Sequence, residues 1–248
     1  MRLVAFRTER GTSAGVVASH DGVDRVVDLT TAGITSVEAV LESAAARSAA
    51  ERAILSVSAA TPALNDVDLV APVRPGKILC LGYNYRGHVP DGVDPTANDP
   101  EFPDVFVKTP NTLGGPNDPV VVPAVADDVD YEGEIAIVIG RQARAVALAD
   151  ALDHVGGYTI LNDVSDRSWQ RRQSQWALGK CFDGFAPIGP WVTTADAVAD
   201  PQDLLVEVIR DGVVTVSQST STTIFSVAFV VHYLSQVMTL EVGDIIST

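Results

Sequence analysis

The chain has 248 residues, of which 46% are hydrophobic, and a formal net charge of −15 from 32 acidic and 17 basic side chains. A chain of this size buries a sizeable core, while the acidic excess argues against a nucleic-acid face, which needs clustered Lys and Arg. No stretch approaches the ~20 apolar residues of a membrane helix, and Arg7, Glu9 and Arg10 stand where a secretory leader would be apolar.

Residues 1–70 read as a small N-terminal α/β accessory unit. Runs at 2–6, 15–18 and 24–28 are short strands joined by turns such as Asp21-Gly22. Thr35-Ser36-Val37-Glu38 reads as a capping box that opens an Ala-rich helix running to about Ser58. Thr61-Pro62, Pro72, Pro75 and Gly76 mark the boundary to a second unit, residues 71–248. There, apolar runs at 77–81, 105–107, 120–122, 135–139, 158–161 and 204–209 predict strands, and Asp211-Gly212 between Val-rich runs predicts a hairpin. Helical patterns are few: about 147–154, about 165–173 and 226–235. The last is apolar nearly all round, which fits a buried helix or a dimer face. The layout is a strand-dominated α+β chain without βαβ alternation. Two cysteines without CxxC spacing, Cys80 and Cys181, make neither a disulfide framework nor a zinc site. Both read as free, packed thiols, in keeping with a reducing, cytoplasmic setting.

The chemistry concentrates in the second unit. Glu132 and Glu134 lie two residues apart at the start of a buried strand, so their carboxylates share a face. A hard cation such as Mg²⁺ would answer their repulsion, and a solvated carboxylate pair at a sheet edge is the alternative. Asp163, at the end of another apolar run, would bring a third carboxylate to the same ion or would begin a helix. His88 stands three residues before Asp91, a spacing that lets a carboxylate orient an imidazole, though a surface histidine has the same pattern. Lys108 alternates with apolar residues, as a lysine on the solvent face of a strand does. Lys180 follows Gly179 in a stretch rich in Gly and Pro that could hold it against an anion. There is no GxGxxG after a strand, no Walker A loop, no GxSxG elbow and no HExxH.

Taken in order, these pieces resemble the fumarylacetoacetate hydrolase family, in its branch of heptadienedioate isomerases and acylpyruvate hydrolases. The resemblance rests on Gly82-Tyr83-Asn84-Tyr85 with His88, Phe106-x-Lys108, Asp130-Tyr131-Glu132-x-Glu134, Asn162-Asp163 with Arg167, Gly179-Lys180, and Thr239-Leu240 with Gly243-Asp244-Ile245-Ile246. It implies a mixed β-roll or partly open barrel with a few flanking helices, working as a homodimer. It implies Mg²⁺ or Mn²⁺, with Ca²⁺ as a further choice, held by Glu132, Glu134 and Asp163. It gives His88, backed by Asp91 where many relatives carry Glu, and Lys180 catalytic roles. Tyr85, Lys108, Arg167 and Gln170 fall on the substrate side. The substrate implied is a small anionic 2-oxo or 1,3-dicarbonyl acid, and the reaction hydrolysis, isomerisation or decarboxylation through an enolate. The family continues past Ile246 with a Thr-Gly-Thr-Pro-like segment and a glycine-rich loop. A chain ending at Thr248 is therefore expected to lack a loop that closes the site, and a metal-binding dimeric scaffold is the other reading.

Overall fold

The structure is a computed structural model and describes residues 1–86 and 99–248. In chain order the elements begin with β1 (Arg2–Thr8), β2 (Gly11–His20), β3 (Val23–Asp28), α1 (Val37–Glu42), α2 (Ala44–Ile54), β4 (Leu69–Val70), β5 (Ile78–Gly82), β6 (Asp104–Lys108) and β7 (Leu113–Gly114). They continue with β8 (Val129–Asp130), β9 (Gly133–Ile139), β10 (Val155–Asn162), β11 (Ser165–Asp166), α3 (Arg167–Gln170), α4 (Ala177–Lys180), β12 (Ala186–Thr194), β13 (Leu205–Arg210), β14 (Val213–Ser219), α5 (Val227–Val237) and β15 (Ile245–Ser247). The fold is the strand-dominated α+β class expected.

One 11-stranded sheet organises the chain, in the order β3-β2-β1-β12-β10-β9-β15-β5-β6, with β4 beside β1 and β7 beside β12. The path has two ends and does not close. Its central strands are buried on both faces, which explains their unbroken apolar runs. Ile78, Cys80, Ala136, Val138 and Ile245 point into one core with Leu3, Val16, Leu29 and residues of α1 and α2. Leu79, Leu81, Ile137, Ile139 and Ile246 point into a second core under α5. The residues on either side of position 70 share this sheet, because Arg2 and Leu3 pair with Thr193 and Val192. They also share the first core. No helix of the described residues is long and apolar enough to cross a membrane.

Asp21-Gly22 and Asp211-Gly212 make the tight hairpins, each with two left-handed residues in succession, φ 50° and 77° and φ 51° and 78°. The long helix expected from Thr35 to Ser58 is broken at Ser43, whose extended backbone ends α1 while its hydroxyl accepts from the Ala46 amide to start α2. The cap of α1 is Ser36 rather than Thr35, and Glu38 accepts from the Arg74 amide (2.7 Å) instead of reaching back to the cap. The run at 120–122 is not a strand. Pro119 and Pro123 bracket it and remove backbone donors at both ends. The segment at 147–154 is a 3₁₀ helix, Leu148–His154, and the helical pattern after Asp163 shrinks to α3. The buried-helix reading of 226–235 holds: Val227, Val230, Val231 and Leu234 of α5 enter the second core.

Gly140 closes β9 against Gly156 at the start of β10, and a Cβ at Gly140 would lie 2.4 Å from the Gly156 Cα. Backbone cannot yield as a side chain does. Gly140→Ala is expected to destabilise the fold by about 1–3 kcal/mol or more, read as a lower urea midpoint at constant slope.

Candidate active site

The site is built where β9 starts and β10 ends. The two strands are antiparallel, with Leu161 opposite Glu134 and Asn162 opposite Gly133. This register puts Asp163 beside Glu132, and the Asp163 amide donates to the Glu132 carbonyl (2.8 Å) while the Glu132 amide donates to Asn162 Oδ1 (3.0 Å). Glu132, Glu134 and Asp163 each offer a carboxylate oxygen within 4.8 Å of the others. Three oxygen donors at that spacing fit a hard divalent cation and do not suit a thiophilic one.

Cations of the chain itself already engage these carboxylates. Asp163 is fully buried, and its two oxygens accept from Lys108 Nζ (2.6 Å) and Lys180 Nζ (2.5 Å). Lys180 also donates to Glu132 Oε2 (2.6 Å) and lies 4.8 Å above the Phe106 ring. Arg167 pairs with Asp130 (2.7 Å) and Glu132, and donates to Gln170 Oε1 (2.9 Å). Glu134 has the Ser247 hydroxyl as its donor (2.6 Å). Burial, followed by the negative charge of Asp163, pushes the Glu134 carboxyl well above the ordinary glutamate range. Burial alone would lower the Lys180 ammonium, but Asp163 and Glu132 outweigh it and raise its pKa. Burial raises the Tyr85 phenol, against a contact with the Thr248 hydroxyl (3.0 Å) that lowers it.

A cavity of about 860 Å³ opens over this floor, lined in part by Tyr85, Glu132, Glu134, Arg167, Gln170 and Lys180. Lys108 lies outside that lining. Its side chain is wholly buried behind Asp163 and donates also to the Val164 carbonyl (3.1 Å), so it does not take the solvent face that strand alternation suggested. Asp163 does not cap a helix; Asp166 does, accepting from the Trp169 amide (2.8 Å). His88 and Asp91 lie outside the described residues. Cys80 is a buried free thiol, its pKa pushed up first by burial and then by Asp163 and Glu134.

Two contributors, Trp176 and Ser247, had no sequence reading attached to them, and Gly179 has a packing part as well. Trp176 forms an apolar wall, edge-on to Phe106 (5.6 Å) and Tyr83 (5.7 Å), and it needs Gly82, where a Cβ would lie 2.5 Å from the indole. Ser247 interrupts the apolar strand Ile245-Ile246, and that break in pattern was the available signal for a hydroxyl aimed at the site. Gly179 lets α4 touch α3, because a Cβ there would lie 2.5 Å from the Gln170 amide nitrogen and 2.6 Å from the Asp166 carbonyl oxygen. The arrangement can hold a divalent cation and present ammonium and guanidinium donors to an anion beside it.

Residues 77–248 match the model of the Fumarylacetoacetate (FAA) hydrolase C-terminal family. A fumarylacetoacetate hydrolase domain-containing protein 2 homolog of Dictyostelium discoideum is 44% identical across 75% of this chain, which spans 63% of that relative. The human mitochondrial oxaloacetate tautomerase 2A is 36% identical across the whole chain, which spans 80% of it. Among solved structures, maleylpyruvate hydrolase from Sphingobium, in complex with manganese(II) and pyruvate, is similar at a TM-score of 0.80 and 32% identity, covering 100% of this chain and 88% of that one. The 2-hydroxyhepta-2,4-diene-1,7-dioate isomerase of Mycobacterium marinum is similar at 0.78 and 33%, covering 100% and 86%. The carboxylate cluster, its lysines and these matches lead to one conclusion: the chain belongs to the fumarylacetoacetate hydrolase family.

Proposed function

We propose that this protein is a divalent-metal-dependent enzyme that acts on a small 2-oxo or 1,3-dicarbonyl acid through its enolate, as a tautomerase or isomerase, a C–C hydrolase or a decarboxylase. The observation that carries the proposal is Lys180, whose ammonium bridges Glu132 and Asp163 at the cavity floor. An ammonium has three donors. Two are spent on the carboxylates, and the third is there for an oxygen that gains charge. Arg167 and Gln170 orient the acid's carboxylate, and Trp176 and Phe106 keep water from one wall. The cation we assign to Glu132, Glu134 and Asp163 is Mg²⁺ or Mn²⁺, and when bound it supplies Lewis acidity to the 2-oxo group. The proton carrier is assigned from sequence to His88 with Asp91. The tautomerase, isomerase and hydrolase names of the relatives support a shared enolate step with different outcomes.

Turnover is tested with oxaloacetate and acetylpyruvate in the presence of Mg²⁺ or Mn²⁺. Activity on at least one is expected, and Lys180→Met should lower kcat by about 10²–10³-fold, the usual cost of one oxyanion donor. Metal binding with no turnover of either acid would favour the scaffold reading.

Metal binding has its own readout. Mn²⁺ at about 100 times its dissociation constant should add ~2.7 kcal/mol to stability, a rise of several degrees in Tm, and Glu134→Ala should lose that rise. Its pH dependence follows from the raised Glu134 carboxyl. Stability contributed by this proton is present at low pH and is lost as pH rises through the folded pKa. A cation needs the carboxylate, so its apparent affinity should fall by up to about tenfold per pH unit below that value. Calorimetry at stepped pH, which also counts the proton released, measures both.

A further inference from the structure

A second cavity, about 300 Å³, lies apart from the candidate active site and shares no lining residue with it. It opens between β1, the start of β2, the start of α1 and the segment that follows β4. Two opposite charges line it, Arg74 and Glu38, and among the described residues neither side chain has an ion-pair partner. They do not neutralise each other either. The Glu38 carboxylate accepts through Oε1 from the main-chain amide of Arg74 (2.7 Å), while the Arg74 guanidinium turns to the Thr12 hydroxyl and donates to it through one Nη (3.2 Å). Glu38 Oε2, and the Nε and second Nη of Arg74, are left without a hydrogen bond among the described residues. Glu38 is held in place by packing on the bare backbone of Gly243, left-handed at φ 87°, where a Cβ would lie 3.0 Å from the Glu38 Cγ. Val37 and Val73, each 1% exposed, line the cavity beside Ala71 and Pro72.

Opposite charges held apart in one cavity match a ligand that carries both signs. A guanidinium fork takes a carboxylate two bonds at a time, and an ammonium brings three donors to a carboxylate. A lone anion would set like charge against Glu38, and a lone cation would do the same to Arg74. An α-amino acid carries its two charges on one carbon, and the valines offer an apolar wall to its side chain. The volume is at the low end of the ~300–1,000 Å³ usual for small-molecule sites, which keeps that side chain small.

We infer that this cavity binds a small zwitterion, an α-amino acid with an apolar side chain, with Arg74 on its carboxylate, Glu38 on its ammonium, and Val37 and Val73 against its side chain. The site is independent of the oxo-acid reading of the floor, since no residue lines both cavities. Arg74 is exposed and Glu38 half-buried, so either contact alone is weak, and selectivity comes from meeting both ends at once.

Calorimetry on the whole chain tests this with L-alanine, L-valine and L-leucine. At least one should bind, one molecule per chain, with a dissociation constant of about 1 mM, the range open to a ligand of so few atoms. Its two one-ended analogues, the acid without the amine and the amine without the carboxylate, should each bind about tenfold more weakly or worse. The variants remove one end at a time. In Arg74→Gln the amino acid should bind no better than the bare amine, and in Glu38→Gln no better than the bare acid. Glu38→Gln keeps an acceptor for the Arg74 amide, and an unchanged Tm checks that each variant is folded; the analogues on the wild-type protein decide the matter if one is not. No binding of any of the three at about 10 mM overturns the inference. An acid that binds as tightly as the amino acid also overturns it, by marking a plain anion site. Variants that bind the amino acid as the wild type does overturn it too, by placing the ligand elsewhere.

Discussion

One buried aspartate holding two lysines sets the shape of this molecule. A carboxylate with no exposure is stable only when its charge is answered at short range, and Lys108 and Lys180 answer Asp163 one oxygen each. Lys108 ends β6 and Asp163 follows β10, and four inter-strand steps separate those strands in the sheet. In a flat sheet four steps span about 19 Å, well beyond a lysine side chain, yet the pair is 2.6 Å long. The sheet must therefore curl until its far edge returns to its middle. The half-rolled form of the fold and the buried ion pair are two descriptions of one constraint.

The same network makes the floor self-sufficient in charge. Glu132 and Asp163 pair with Lys108, Lys180 and Arg167, the last shared with Asp130, while Glu134 pairs with none of these cations and is met by its raised pKa and the Ser247 hydroxyl. Small metal domains whose ligands have no partners unfold without their ion. Here the three carboxylates have partners, so folding itself forms the frame into which we propose a cation enters. Removing one lysine would leave a buried charge unanswered, which is the costly way to break a buried pair.

What the sequence disclosed follows from how local each signal was. The hairpins at Asp21-Gly22 and Asp211-Gly212 and the strands around Leu79 and Ile137 were legible because turn chemistry and unbroken apolar runs are short-range. The spacing of Glu132 and Glu134 stated a shared face directly. The run at 120–122 misled because apolar content speaks for a strand only when a partner can pair with it, and two prolines deny that. The break at Ser43 was hidden since a serine that caps from within an Ala-rich segment looks like one more tolerated residue. Lys108 was illegible in a different way: its apolar neighbours gave the alternation, but only the curl of the sheet shows that the lysine face turns inward. Trp176 and Ser247 depend on long-range neighbours that no local pattern names.

Gly179 has a consequence for how such a site can diversify. Its missing side chain lets α4 rest on the backbone of α3, so Arg167 and Lys180 ride on one rigid block. Neither cation can be shifted without moving the other, and neither helix can be tilted without driving a Cβ-sized gap or clash between two main chains. The floor is thereby frozen as a common part, and new substrate preferences have to be written in side chains that stand clear of that seam.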